Sequence, residues 1–108
     1  VETLPPLLWL VVSFPLEHRG KILPIPANAV FGRNADVLWE DDLISRQHAR
    51  FVLAQATAES AQLQFAIMPL QDRNGTFVNG QRIQGTTLLR ENDRIEMGDT
   101  QFIVKVLY

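Results

Sequence analysis

Residues 76–83 read TFVNGQRI. The Asn79-Gly80 pair at the centre is the strongest short-range hairpin signal, because both central residues of a type I′ turn need positive φ. Phe77, Val78 and Ile83 on either side favour strands, so the segment is expected to be a small hairpin turning at Asn79-Gly80. The same pattern runs outward. Leu63, Phe65 and Ile67 alternate with Gln62, Gln64 and Ala66, and Phe102, Val104 and Val106 alternate with Gln101, Ile103 and Lys105. That is the period of a half-buried strand. Further short strands are expected at 7–14, 21–25, 29–31, 37–39, 49–53 and 94–97. Gly20, Asn28, Asn74-Gly75, Gly85, Asn92-Asp93 and Gly98-Asp99 punctuate them as turns. Many short strands separated by turns specify an antiparallel all-β sandwich or barrel. Only 54–61, AQATAESA, has the composition of a helix. It lacks an apolar face and lies between two strand patterns, so it is expected to be a polar hairpin connection.

The chain has 108 residues, 46% of them hydrophobic, which suits one domain with a core of its own. Because it begins at Val1 rather than Met, the expectation is a single domain over 1–108 cut from a longer protein. With no cysteine, disulfide frameworks and zinc-thiolate sites are excluded, while the compartment stays open on that ground. The apolar stretch 4–16 is broken by Pro5, Pro6 and Pro15 and is shorter than the roughly 20 residues of a spanning helix. No signal-peptide pattern is present, and a cytoplasmic location is expected. A net charge of −2 gives no overall field for nucleic acid or an anionic membrane. Any anion site must therefore be local. Apart from Lys21 and Lys105 the basic residues are all arginine, whose planar fork matches phosphate and carboxylate.

The stretch ISRQHARF, 44–51, places Ser45, Arg46 and His48 close together and raises the possibility of a nucleophile with its base. A catalytic serine needs a strained turn, an orienting acid and an oxyanion hole, and none is evident. The two histidines, His18 and His48, are far apart and lack a spaced set of carboxylates, which argues against a metal site. Three loops instead carry polar groups that their turns do not need. VFGRN places Arg33 where a strand gives way to a turn, LISRQHAR places Ser45 and Arg46 before another strand, and DRNGTFVNG places Arg73 and Asn74 in a third turn. Loops of a sandwich cluster at its two ends, so these groups either converge on a small anion or form three solvated turns.

FGRN, SRQHARF, NGTFVNGQRI and ENDRIEMGDTQFIV, in that order and spacing, resemble the forkhead-associated domain family. The similarity extends to the leading LLWLVVSFPLEHRGKILPI and so covers nearly the whole chain. It implies a forkhead-associated-type β-sandwich of about eleven mostly antiparallel strands that binds phosphothreonine peptides on loops at one end, without catalysis and without a cofactor. Under this resemblance Arg33 contacts the phosphate or braces its loop, Ser45 donates to a phosphate oxygen, and Arg46 adds a second polar contact. His48 supports the loop through ring hydrogen bonds rather than activating Ser45. Asn74 grips the peptide main chain, while Gly32 and Gly75 permit the local backbone.

The chain departs from the family at Arg73, where a threonine often lines the site; because arginine's fork suits phosphate, Arg73 is expected to serve the phosphate, the alternative being selection of an acidic ligand residue further along the peptide. Asp72 could pair with Arg73 or disfavour a second anion, and Asp41-Asp42 reads as a solvated acidic turn or as a selector for basic ligand residues. The implied partner is a phosphothreonine-containing protein, the product of a serine/threonine kinase, with no nucleic acid or membrane contact. A phosphate-independent assembly module of the same fold is the alternative.

Overall fold

The computed structural model of the chain describes residues 4–55, 59 and 62–108. Eleven strands run through the described residues: β1 Leu7–Phe14, β2 Ile22–Ile25, β3 Val30–Gly32, β4 Val37–Leu38, β5 Ala49–Gln55, β6 Leu63–Pro69, β7 Thr76–Val78, β8 Gln81–Arg82, β9 Thr87–Leu88, β10 Arg94–Met97 and β11 Thr100–Leu107. One sheet has the order β2-β1-β11-β10-β7-β8 and the other β4-β3-β5-β6-β9. Every pairing is antiparallel except β3 with β4, as the alternating sequence pattern leads one to expect.

The alternation translates directly into burial. Leu8, Leu10 and Val12 of β1, Phe102 and Val104 of β11, and Ile95 and Met97 of β10 line the inner face of one sheet. Phe31, Phe51, Phe65 and Ile67 face them from the other. Phe31 packs edge-on against Phe102, with ring centroids 5.5 Å apart. Fully burying each such side chain contributes about 1.5–3 kcal/mol, so this central seam holds the two sheets together.

Asn79 and Gly80 both have positive φ, 51° and 85°, and join β7 to β8 through the pairs Val78 with Gln81 and Phe77 with Arg82. The two-residue hairpin thus forms where the Asn-Gly signal lies. The Asn79 side chain also donates to Asp93 Oδ1 at 3.0 Å and accepts the Arg94 N–H at 2.9 Å, which ties the turn to β10. Most of 54–61 lies outside the described residues, but Gln55 pairs with Leu63, so β5 and β6 form a hairpin around it. Two features escaped the sequence pattern: the 3-10 turn Leu16–His18 and the two-residue strand β9, each too short to show a period. Ala66 also departs from the half-buried expectation, being fully buried. It sits between Val52 and Leu88 on the neighbouring strands, whose larger side chains flank its single methyl.

Among the described residues no helix is long and apolar enough to cross a membrane.

Candidate functional site

Three loops meet at one end of the sandwich: 33–36 after β3, 39–48 between β4 and β5, and 70–75 between β6 and β7. The first contact is backbone against backbone. A Cβ on Gly32 would lie 2.2 Å from the carbonyl oxygen of Arg46 and 2.7 Å from that of Ser45, far inside contact distance. Glycine at this point lets the 39–48 loop lie directly on the end of β3, where Arg33 N–H donates to Ser45 O at 3.2 Å and Asn34 N–H to Arg46 O at 3.0 Å. Arg33 Nε also donates to the carbonyl of Ile44. Its terminal nitrogens remain available.

Ile44 is fully buried and anchors its loop in the core. The next residue, Ser45, is half-buried, and its Oγ accepts the Arg73 N–H at 3.1 Å. That bond uses a lone pair of the hydroxyl and leaves its proton free to donate elsewhere. Asn74 Nδ2 donates to Leu43 O at 2.9 Å, which again joins the 70–75 loop to the 39–48 loop. Arg46 and Arg73 are exposed, and among the described residues neither guanidinium has a carboxylate partner.

His48 is completely buried. Its Nδ1 accepts the Ser45 N–H at 3.0 Å, and its Nε2 lies 3.0 Å from the carbonyl oxygen of Gly75. This pairing selects the neutral tautomer with the proton on Nε2, since a carbonyl can only accept. Burial pushes the imidazole below its ordinary value of 6.5, and the Gly75 carbonyl, Asp72 and Asp41 offset part of that shift. Because Nδ1 is bonded to the Ser45 backbone and the hydroxyl is bonded to Arg73 N–H, His48 and Ser45 Oγ do not form a base–nucleophile pair.

Two acidic residues beside the site, Asp72 and Asp41, have partners within the fold. Asp72 accepts from the Thr76 hydroxyl at 3.0 Å and makes no ion pair with Arg73. Of the Asp41-Asp42 pair, Asp42 is exposed, while Asp41 is part-exposed and bonded within the fold. Its Oδ1 accepts Leu43 N–H at 2.9 Å, and its Oδ2 accepts Asp99 N–H at 2.8 Å and the Thr100 hydroxyl at 2.7 Å. The Trp39 indole in turn donates to that hydroxyl at 3.0 Å. Asp41 therefore ties the 39–48 loop to the β10–β11 turn. The partners in that turn are 58 and 59 residues away, so no local sequence signal could have indicated this tie.

The residues singled out from sequence thus come together: Arg33, Ser45, Arg46, His48, Arg73, Asn74 and Gly75 lie on these three adjoining loops, and Gly32 ends the strand that leads into the first. The surface they form offers guanidinium, hydroxyl and amide donors, an arrangement suited to a small, highly charged anion.

The model of the FHA domain matches residues 29–98. No curated protein sequence matches the chain. Among solved structures, the chain is similar to the FHA domain of yeast Dun1 in complex with a doubly phosphorylated peptide derived from Rad53, with 28% identity, 98% of this chain and 78% of that one covered, and a TM-score of 0.72. It is also similar to the FHA domain of the CT664 protein of Chlamydia trachomatis, at 24% identity, 91% and 95% coverage, and a TM-score of 0.73. A third similar structure is Mycobacterium tuberculosis EmbR in complex with a low affinity phosphopeptide, at 24% identity and a TM-score of 0.73; there 92% of this chain corresponds to 24% of the larger one. The family model spans well over half of the chain and takes in every loop of the candidate site, and on that ground the chain belongs to the FHA domain family.

Proposed function

We propose that this domain recognises phosphothreonine in a partner protein and so mediates phosphorylation-dependent association. The observation that carries this reading is the setting of the Ser45 hydroxyl. It is held by the Arg73 N–H with its proton free, on loops that also bear Arg33, Arg46 and Arg73. A phosphothreonine brings a charge of about −1.5 to −2 and three acceptor oxygens, and each charge-assisted hydrogen bond contributes roughly 1.5–3 kcal/mol before ordering costs. Micromolar affinity, about −8 kcal/mol, is the expected scale. The related structures solved with phosphorylated peptides support the same ligand class.

In this reading Arg33, Ser45, Arg46 and Arg73 meet the phosphate, Asn74 holds the peptide main chain, and Gly32, His48 and Gly75 support the loops. Residues 1–108 act as one binding module without catalysis or cofactor. The domain acts in the cytoplasm, and its partner is a protein phosphorylated by a serine/threonine kinase, rather than nucleic acid or membrane.

Calorimetry against a degenerate phosphothreonine library and its unphosphorylated counterpart tests the reading. Binding confined to the phosphorylated peptides is expected, with Ser45→Ala and Arg33→Ala each weakening it about tenfold. Equal affinity for both forms would instead favour a phosphate-independent assembly module.

A further inference from the structure

A groove of about 640 Å³ lies along the β7–β8 hairpin and the segment carrying β9, with Gln81, Arg82, Ile83, Thr87, Leu88 and Arg90 on its walls. Two features give it a definite chemistry. The guanidinium groups of Arg82 and Arg90 have no carboxylate or hydrogen-bond partner among the described residues. The carboxylate on the same walls, Asp93, is already engaged by Asn79 Nδ2 at 3.0 Å and the Arg90 N–H at 2.7 Å. Those donors are neutral and leave the Asp93 charge in place, but two guanidiniums outnumber one carboxylate, so the walls carry a net positive charge although the chain as a whole is acidic.

Arg82 also links the groove to the three-loop site. It pairs with Phe77 across the hairpin, and its guanidinium lies against Gly75: a Cβ there would meet Arg82 Nε at 3.0 Å and Cζ at 3.2 Å. Gly75 follows Asn74 directly and receives the His48 hydrogen bond. A peptide lying over Asn74 therefore has Arg82 beside it and the groove next along the surface.

We propose that this groove is a second subsite, which takes anionic side chains of the same phosphopeptide at a fixed distance from the phosphothreonine, with Arg82 and Arg90 as their partners. The inference rests on the phosphothreonine reading. Carboxylates and a second phosphate share the chemistry that a guanidinium fork recognises. Leu88 and Ile83 supply apolar wall for the stems of the ligand side chains, and Gln81 and Thr87 supply neutral polar contacts. The added charges shorten the list of acceptable partners to phosphosites embedded in acidic or multiply phosphorylated sequence.

The test uses the 108-residue chain and phosphothreonine peptides in a neutral alanine–serine background. A pair of glutamates is walked along both sides of the phosphothreonine, and a parallel set carries a second phosphothreonine instead. The quantity read is the affinity ratio of each charged peptide to the neutral phosphopeptide, in the parent chain, R82Q and R90Q. One register is expected to gain about tenfold, and the ratio to fall towards one in both variants. A gain in the glutamate set identifies carboxylates as sufficient, and a gain only in the doubly phosphorylated set identifies a second phosphate. No gain at any register, or a gain retained in both variants, overturns the subsite while leaving phosphothreonine recognition standing if the neutral phosphopeptide still binds. Failure of every phosphopeptide to bind overturns both.

Discussion

The ring of His48 reaches the carbonyl of Gly75, 3.0 Å away and 27 residues along the chain. With Nδ1 accepting from Ser45 N–H, one buried imidazole holds the 39–48 loop against the 70–75 loop. His48→Ala leaves the Ser45 N–H and the Gly75 carbonyl without their partner, and should lower stability by about 1–3 kcal/mol. Phosphopeptide affinity should fall with it, because Ser45 loses its fixed position. Thermal unfolding and calorimetry on the same sample check this. An unchanged melting temperature with abolished binding would show that the ring contacts ligand rather than supporting the loop.

The same ring makes the ligand-free fold sensitive to acid. Its native value lies below the unfolded 6.5, chiefly through burial, so the unfolded chain takes up the proton first. The stability this group contributes is complete above pH 6.5 and is lost as pH falls through the lower native value. Protonating Nδ1 also places a donor against the Ser45 N–H. Urea unfolding across this range should show a slope that is reduced in His48→Asn. An equal slope in both proteins assigns the acid sensitivity to other groups.

Gly32→Ala should be among the most damaging small substitutions. Its new methyl would fall 2.2 Å from the Arg46 carbonyl oxygen, a backbone atom that no rotamer change can move aside. Overpacking of this kind costs about 1–3 kcal/mol, and the displaced loop carries Ser45 and Arg46 with it. The amide signals of 44–47 should move in the nuclear magnetic resonance spectrum. A variant that melts with the parent and leaves those signals in place refutes the close-approach argument.

Asp41→Asn leaves a single acceptor oxygen, which cannot serve both the Leu43 N–H on Oδ1 and the Asp99 N–H and Thr100 hydroxyl on Oδ2, and sets an NH2 donor against one of them. Loss of about 1–2 kcal/mol is expected, together with weaker phosphopeptide binding through the released 39–48 loop. Asp41→Ala should be at least as severe. If both variants keep full affinity at a temperature well below their melting points, the tie to the β10–β11 turn has no part in forming the site.

Arg73→Thr tests the position where the chain leaves the family pattern. Arg73 has no acidic partner among the described residues, so its charge is available to ligand. The substitution should weaken phosphopeptides of varied sequence by a similar factor, on the scale of about 0.2–1 kcal/mol for an exposed pair, and should flatten the salt dependence of binding. Strong coupling to an acidic ligand residue in a double-mutant cycle would transfer Arg73 from the phosphate to sequence selection.

The sequence by itself determined what depends on neighbours along the chain. Period-two alternation set which side chains of β11 and, Ala66 apart, of β6 face the core. Asn79-Gly80 set a two-residue turn, because few residues accept positive φ. The order of FGRN, SRQHARF and NGTFVNG marked the three loops that meet. Tertiary structure alone decided which groups in those loops have partners. Asp41 looked solvated but is satisfied by residues nearly 60 positions away. Asp72, beside Arg73 in sequence, turns to Thr76 instead. Arg82, an ordinary strand residue by its surroundings in the sequence, lies against Gly75 and at the edge of the site. The physical reason is that a hydrogen bond or a close approach is settled within a few ångströms of space. Where sheet pairing and a two-layer core bring distant segments together, local periodicity carries no record of that distance.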